Sequence, residues 1–563
     1  MKRVRTGLYI AIVVMLSASS LLSACQLGSS ASGPQEFRAN LPGEPPSLDP
    51  NLSTWSPGNA IIEQLSVGLL RLEPDASGNM VPKAAIAKEI PTIANGGISK
   101  DGKIYTFKLR SGMKYSDGQP VRAQDIEYSV KRLLDPDLAA MYASFYFDIV
   151  GAKEYNTAKG TKSNPKTPSQ AEMKQIRDAV GVKAKDDLTV EFTLTQQRWT
   201  FLQLAAMWPI FPVRQDIVER YGDKWTEAGN FVGNGPFKMT EWVHKDHITL
   251  VPNENYYGTK PQLQKVTWFM VTDTNANYAA YLAGERDYTD VPQANIDLVR
   301  GDPAFKDQIV QYARLATSAA QFNLKKAPFD NLKVRQAFST AIDRETYVQK
   351  VRRGVGQVAY SWIPPGMPGH QADLGSEYKV DAAKAKSFLA NAGYPDGKGL
   401  PAVSLSYADQ GDNKLYAEFI QANLKDNLGV QIKLEPMDPK SFADAVNAGN
   451  WQMSFFGWSA DYPDPDNWLP ELFGTGAGNN LSKYSSKEFD DIVAKAKLEP
   501  DDSKRLQLWN QAQKKIVDDA VVIFLNYNVR FGLLKPYVKV VTTGMDRVAA
   551  GDRLMDKIYL TAH

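Results

Sequence analysis

The sequence predicts an α/β protein of two or three lobes. Val403–Tyr407 and Val430–Leu434 flank a helical run, Tyr416–Asn427, giving the strand–helix–strand unit of a parallel sheet. Amphipathic helices with clear start and stop signals alternate with short apolar strands over most of the chain. At 563 residues, the chain also exceeds what one ordinary core organises.

Composition narrows the class. With 43% apolar and 23% charged residues the chain is globular. Lys2, Arg3 and Arg5 more than account for the net charge of +2, so the rest is close to neutral. That balance argues against a nucleic-acid partner.

The three basic residues precede an apolar run, Leu8 to Leu22, then Leu22-Ser23-Ala24-Cys25. Residues 1–24 read as a secretory signal peptide. Its end resembles the lipobox of bacterial lipoproteins, which implies cleavage before Cys25 and lipidation of its sulfur. An uncleaved anchor is the alternative, because the run is marginal for a spanning helix. Cys25 is the only cysteine, so an internal disulfide is excluded. Residues 25–35, rich in Ser and Gly, read as a tether.

Glu36–Arg38 begins the first strand, and Asn59–Leu70 reads as a helix with Ile61, Ile62, Leu65 and Leu69 on one face. Tyr105, Phe107 and Leu109 alternate with polar residues, and Ser116-Asp117-Gly118 supplies turn chemistry, so a hairpin is expected there. Gln124–Leu134 is amphipathic, and Val190, Phe192 and Leu194 mark a strand with one wet face. Trp199, Phe201, Trp208 and Phe211 suggest a core segment between lobes. Asp381 caps a helix that Gly393 and Pro395 stop. Ser485 with Glu488 reads as a capping box, and Val521–Leu525 as a buried strand.

The most informative stretch is Gly457–Asn467. A buried strand ends there, and an acid, Asp461, stands between Trp458 and Tyr462. A carboxylate among large aromatics is costly to bury unless a cation meets it. Asp461 is therefore expected to clasp a cation from outside; the competing reading is a surface Asp-Pro loop that caps its own turn.

Enzyme chemistry finds little support. Gly457-Trp-Ser-Ala-Asp461 lacks the closing glycine of a nucleophile elbow. The sole cysteine, Cys25, is taken up by the anchor, which excludes thiol catalysis and thiolate metal sites. His244 and His247 are three apart but lie in a strand-like stretch, where they face opposite ways, so an exposed polar turn is set against a metal pair. Asp461, Asp464 and Asp466 do not form a calcium loop, because Pro463 and Pro465 interrupt the ligand pattern. No phosphate-cradling glycine loop is present. No metal or cofactor is expected.

Several long motifs then occur in fixed order. They are Thr106–Pro136 (TFKLRSGMKYSDGQPVRAQDIEYSVKRLLDP), Gly233-Asn-Gly-Pro-Phe-Lys with Asn255-Tyr-Tyr-Gly258, Asn323-Leu-Lys-Lys-Ala-Pro-Phe-Asp with Ala341-Ile-Asp-Arg344, and Gly457-Trp-Ser-Ala-Asp-Tyr-Pro-Asp-Pro. Together they resemble the peptide- and nickel-binding family of solute-binding proteins that serve ABC importers. The resemblance runs from about residue 36 to the C-terminus.

It implies a two-lobed, periplasmic-binding-protein-like fold of the large three-domain type, with a hinge between lobes. Residues 36–66, 197–316 and 527–563 would form a discontinuous domain I, 67–196 an inserted domain II, and 317–526 the opposing domain III. The implied function is capture of short peptides outside the cytoplasm and delivery to a permease driven by separate ATPases, by a monomer lipid-anchored to the membrane. Asp461 would clasp the ligand's α-ammonium, with Trp458 and Tyr462 walling the site. Tyr142 would face the ligand from the second domain, unless it is simply a core tyrosine, and Thr54, Trp55 and Ser56 would meet the peptide backbone. A non-peptide solute such as a nickel chelate, or presentation of a signalling peptide to a sensor, are the alternatives. Some relatives offer basic residues to the ligand carboxylate at positions aligned with Val446, Phe455 and Asn413. None is basic here, which leaves water, another residue such as Lys414, or a position outside the clamp.

Overall fold

The computed structural model describes residues 35–75, 80–161, 164–540 and 554–563. Cys25, the signal segment and the tether up to residue 34 lie outside the described residues.

Two sheets organise the chain. In the smaller, Glu36–Leu41 pairs in parallel with Lys265–Met270, and His247–Pro252 and Phe237–Val243 continue it antiparallel. Phe37, Ala39 and Leu41 alternate inward along the first strand, as the period of two requires. The larger sheet runs in the order Tyr288–Asp290, Val522–Leu534, Ile309–Phe322, Met453–Phe455, Ser404–Ala408, Lys433–Met437. Its last pair is parallel, Ser404 opposite Lys433, with helix Asn413–Asn423 in the connection. The predicted strand–helix–strand unit is therefore present. A third, three-stranded sheet joins Ile104–Lys108, Thr189–Thr193 and Val182–Asp186.

The longest strands, Ile309–Phe322 and Val522–Leu534, lie antiparallel and tie the molecule together. Leu315 and Ala319 belong to the core that also holds the smaller sheet, whereas Ala320, Phe322, Ile523 and Leu525 belong to the core around 404–437. The register shifts between Ala313 and Thr317 and again between Ser318 and Ala319. The chain thus passes from one core to the other where its ladder is irregular.

Several sequence expectations are corrected. The first helix spans Ser56–Leu65, and Leu69 instead leads into strand Leu70–Pro74. Ile104–Lys108 is not half of a local hairpin; its partner is Thr189–Thr193, and the Ser116-Asp117-Gly118 turn closes only a bridge between Lys114 and Pro120. Val430 and Ile432 are buried just ahead of the last strand, which begins at Lys433. Ser486, one residue later than expected, caps helix Lys487–Leu498 by accepting from the Phe489 amide. Trp199 is 42% exposed, covered on one face by the Arg505 guanidinium, while Phe201, Trp208 and Phe211 are buried.

Candidate ligand-binding site

Strand Met453–Phe455 pairs with Ile309–Phe322, breaks at Phe456-Gly457, and resumes for two residues at Trp458–Ser459. Gly457 permits this course: a Cβ there would stand 1.9 Å from the Thr317 carbonyl oxygen. The chain then turns sharply into 461–467. Asp464, not Asp461, caps that turn, accepting from the Asp466 amide. The surface-loop reading of Asp461 therefore fails, for the residue is only 3% exposed.

Oδ2 of Asp461 accepts from the Asn467 amide at 2.9 Å and from the Tyr142 hydroxyl at 3.1 Å. Asn467 holds the anchor from behind, its Oδ1 accepting from the Asp461 backbone at 2.9 Å and from Trp458 Nε1 at 3.2 Å. Among the described residues, no Lys, Arg or His pairs with the Asp461 carboxylate. Burial pushes its pKa up from the usual 3.8 to about 7, against the two hydrogen bonds and with help from nearby Glu471. An external cation would relieve that cost.

Tyr142 comes from a different part of the fold, the 3-10 turn Met141–Tyr146, where it stacks on Phe145 at 4.6 Å. It is 1% exposed, yet its hydroxyl is aimed at Asp461 rather than into the core. Asp461 and Tyr142 open onto a 240 Å³ cavity that Thr54, Trp55, Ser56 and Trp458 also line. Six of the seven side chains expected at a site thus meet around one space. Tyr462 is the exception. Its ring is fully buried, its hydroxyl donates to Asp466 Oδ2 at 3.0 Å, and it does not line the cavity.

The sequence reading missed the polar complement of the cavity: Asn59, Asn447, Asn479 and Asn528. The Asn479 amide nitrogen is buried without a partner. Such asparagines carry no motif; only their convergence in space marks them. It also missed a buried ion pair next to the anchor. Arg198 Nη2 donates to Asp466 Oδ2 at 2.8 Å, where Thr200 donates at 2.6 Å, and Arg198 Nη1 reaches Asp148 at 3.0 Å. Burial opposes the charge on Asp466, but the Arg198 guanidinium holds its carboxyl well below the usual range.

A second cavity, of 370 Å³, adjoins the first through Trp55 and Ser56, which line both. His244 belongs to neither. It sits at the end of strand Phe237–Val243 between the carboxylates of Glu44 and Glu227, at 2.9 and 3.1 Å.

Residues 82–480 match the model of the bacterial extracellular solute-binding proteins, family 5, middle region. The chain belongs to that family. Its members bind solutes and are not enzymes, and neither is this chain. It is 34% identical to the dipeptide-binding protein DppE of Bacillus subtilis, across 87% of this chain and 86% of that one. It is 31% identical to the oligopeptide-binding protein OppA of the same organism, across 91% and 92%. Its structure resembles that of the Escherichia coli murein tripeptide binding protein MppA, with TM-score 0.83, 28% identity, and coverage of 95% and 100%. The fold is thus the two-lobed periplasmic-binding-protein fold. Against the unliganded open form of MppA, at the same identity, the TM-score drops to 0.62. The lobes of this chain are set as in the former structure. No helix among the described residues is long and apolar enough to cross a membrane.

Proposed function

We propose that this chain is the peptide-capturing component of an ABC importer, held outside the cytoplasm by a lipid on Cys25. The observation that carries the reading is a buried carboxylate, Asp461, with two hydrogen-bond donors, no cation among the described residues, and a polar cavity in front of it. A peptide's α-ammonium supplies the missing charge, and exclusion of water strengthens the bond. The relatives named for dipeptides and oligopeptides agree with this chemistry.

The backbone of the ligand needs partners as well. Among the described residues, Trp458–Ser459 pairs on one side only, with Thr317 and Ala316, and Gly457–Ser459 line the cavity. Its other edge suits addition of an extended peptide strand, a recognition mode indifferent to side chains. Tyr142, Thr54, Trp55 and Ser56 close the far wall. We place domain I at 36–66, 197–316 and 527–563, domain II at 67–196 and domain III at 317–526. The hinge then falls at the paired crossings near 316 and 526, where the ladder is irregular.

Native mass spectrometry of the chain begun after Cys25, gently purified, tests the reading. A spread of added masses that fragment as peptides is the expected result. One non-peptide mass would sink it in favour of a dedicated solute.

A further inference from the structure

Residues 81–114 stand apart in charge. They hold seven lysines and arginines against two acids, Glu89 and Asp101, in a chain that is near neutral once its first 24 residues are set aside. The fold gathers three of the seven. The Lys88 amide donates to the Lys108 carbonyl at 2.7 Å, which makes neighbours of two exposed lysines. Neither ammonium has an ion pair or hydrogen bond among the described residues. Arg110 joins them, its Nε donating to the Ala85 carbonyl at 2.8 Å and its guanidinium lying 5.7 Å from the centre of the Tyr257 ring. The three line an open groove of about 650 Å³ that no acid enters. Glu89 follows Lys88 but does not line it, Asp186 accepts from the Leu188 amide at 2.8 Å, and Asp187 accepts from Gln124 at 3.2 Å. Cations held together without a counter-charge repel one another, and an anion between them relieves that cost. Leu188, also in the wall, is 38% exposed.

The groove lies in the part of the fold where the tether arrives. The Gln35 side chain donates to the Leu560 carbonyl at 3.1 Å and accepts from the Leu560 amide at 3.2 Å. In the same terminal segment, Asp556 accepts two hydrogen bonds from Arg71, at 2.9 and 3.0 Å. Arg71 stands opposite Lys83 in the hairpin of Leu70–Pro74 and Met80–Ala84, and the next residue, Ala85, holds Arg110. The ten residues from Cys25 to Gln35 reach at most about 35 Å when extended, so a lipid on Cys25 keeps this side of the molecule near the membrane. Resting on that placement of the lipid, we propose that the groove takes the phosphate headgroups of anionic phospholipids in the same membrane. Lys88, Lys108 and Arg110 supply the charge, while Leu188 and the Tyr257 ring suit the boundary between headgroup and acyl chain. Each cation contributes modestly and through a screened field, so the contact is reversible and orients the chain rather than anchoring it.

Flotation with vesicles of phosphatidylglycerol or of phosphatidylcholine tests this on the lipid-free chain begun after Cys25, which keeps every described residue. The wild type should partition onto the anionic vesicles about a hundredfold more strongly than onto the zwitterionic ones, at about fivefold for each cation, and high salt should abolish the difference. Lys88→Gln/Lys108→Gln should cut the anionic partition about twentyfold, with thermal melting unchanged. Lys379→Gln/Lys386→Gln makes the same charge change at helix Ala382–Asn391, in the core around 404–437, and should leave the partition as it is. Equal partition of the wild type onto both vesicles, or an equal loss in both double variants, overturns the proposal. So does lysine-dependent binding of inorganic phosphate without vesicle binding, which assigns the groove to a free anion. The vesicle assay does not use the anchor. The mass of the mature N-terminal peptide from the full chain judges that reading separately: an unlipidated Cys25 overturns the anchor and leaves the groove to the vesicle result.

Discussion

The Tyr142 hydroxyl donates to the Asp461 carboxylate at 3.1 Å, joining a 3-10 turn near the three-stranded sheet to a loop that leaves the large sheet. The bond spans 319 residues of sequence. It joins those two parts of the molecule directly and steadies the anchor. Tyr142→Phe removes a donor to a buried charge. Peptide affinity should fall by about 1.5–3 kcal/mol, because the charged carboxylate that the ammonium needs has lost a donor. Calorimetry of the wild type and the variant with one peptide checks this.

The anchor should also make binding depend on pH. In the closed, peptide-free form, burial holds the Asp461 pKa near 7, against an ordinary 3.8. The folded closed form therefore binds the proton more tightly, and its stability falls as pH rises from about 4 to about 7. A peptide ammonium needs the charged carboxylate and displaces that proton. Affinity should thus drop below pH 7, approaching tenfold per pH unit, and level off above it until the ligand ammonium deprotonates near pH 8. Titrations in two buffers of different ionisation heat should show proton release on binding at pH 6. Tyr142→Phe should move the acidic limb to higher pH, since the lost bond favoured the charged form.

Arg198 and Asp466 form the ion pair behind the anchor, with side chains 4% exposed. Replacing Arg198 by Met leaves Asp466 buried and unpaired within the loop that carries Asn467. A loss of about 3–5 kcal/mol is expected for the closed arrangement. Solution scattering at saturating peptide should show a smaller closed fraction than wild type. Thr200→Val, which removes one donor to the same oxygen, should shift closure in the same direction and by less.

Gly457→Ala tests the approach of the anchor loop to the long strand. The added methyl meets the Thr317 carbonyl carbon and oxygen at 2.8 and 1.9 Å, both of them backbone. Trp458–Ser459 must then separate from Ala316-Thr317. The cost should be about 1–3 kcal/mol of stability, with weaker peptide binding measured on the folded fraction.

The parts of this protein that are periodic or punctuated were legible in the sequence. The 404–437 unit and the Asp381 cap each follow from residue type and spacing over a few positions. Asp461 stood out because a lone acid among aromatics is expensive. The misses share a cause. Ile104–Lys108 finds its partner 85 residues away, at Thr189–Thr193, and no local pattern encodes that choice. Tyr462 follows Asp461 directly, yet the tight turn sends its ring to Asp466 and away from the cavity. Arg198 and Asn467 acquire meaning only once distant segments converge behind Asp461.

The central claim is that Asp461 holds the ligand by its ammonium. The most direct measurement is calorimetry of one alanine peptide and its N-acetylated form against the wild type and Asp461→Ala. Acetylation should cost the wild type about 2–5 kcal/mol, Asp461→Ala should cost the free peptide a similar amount, and acetylation should cost the variant almost nothing further. An acetylated peptide that binds the wild type as tightly as the free one would contradict the account.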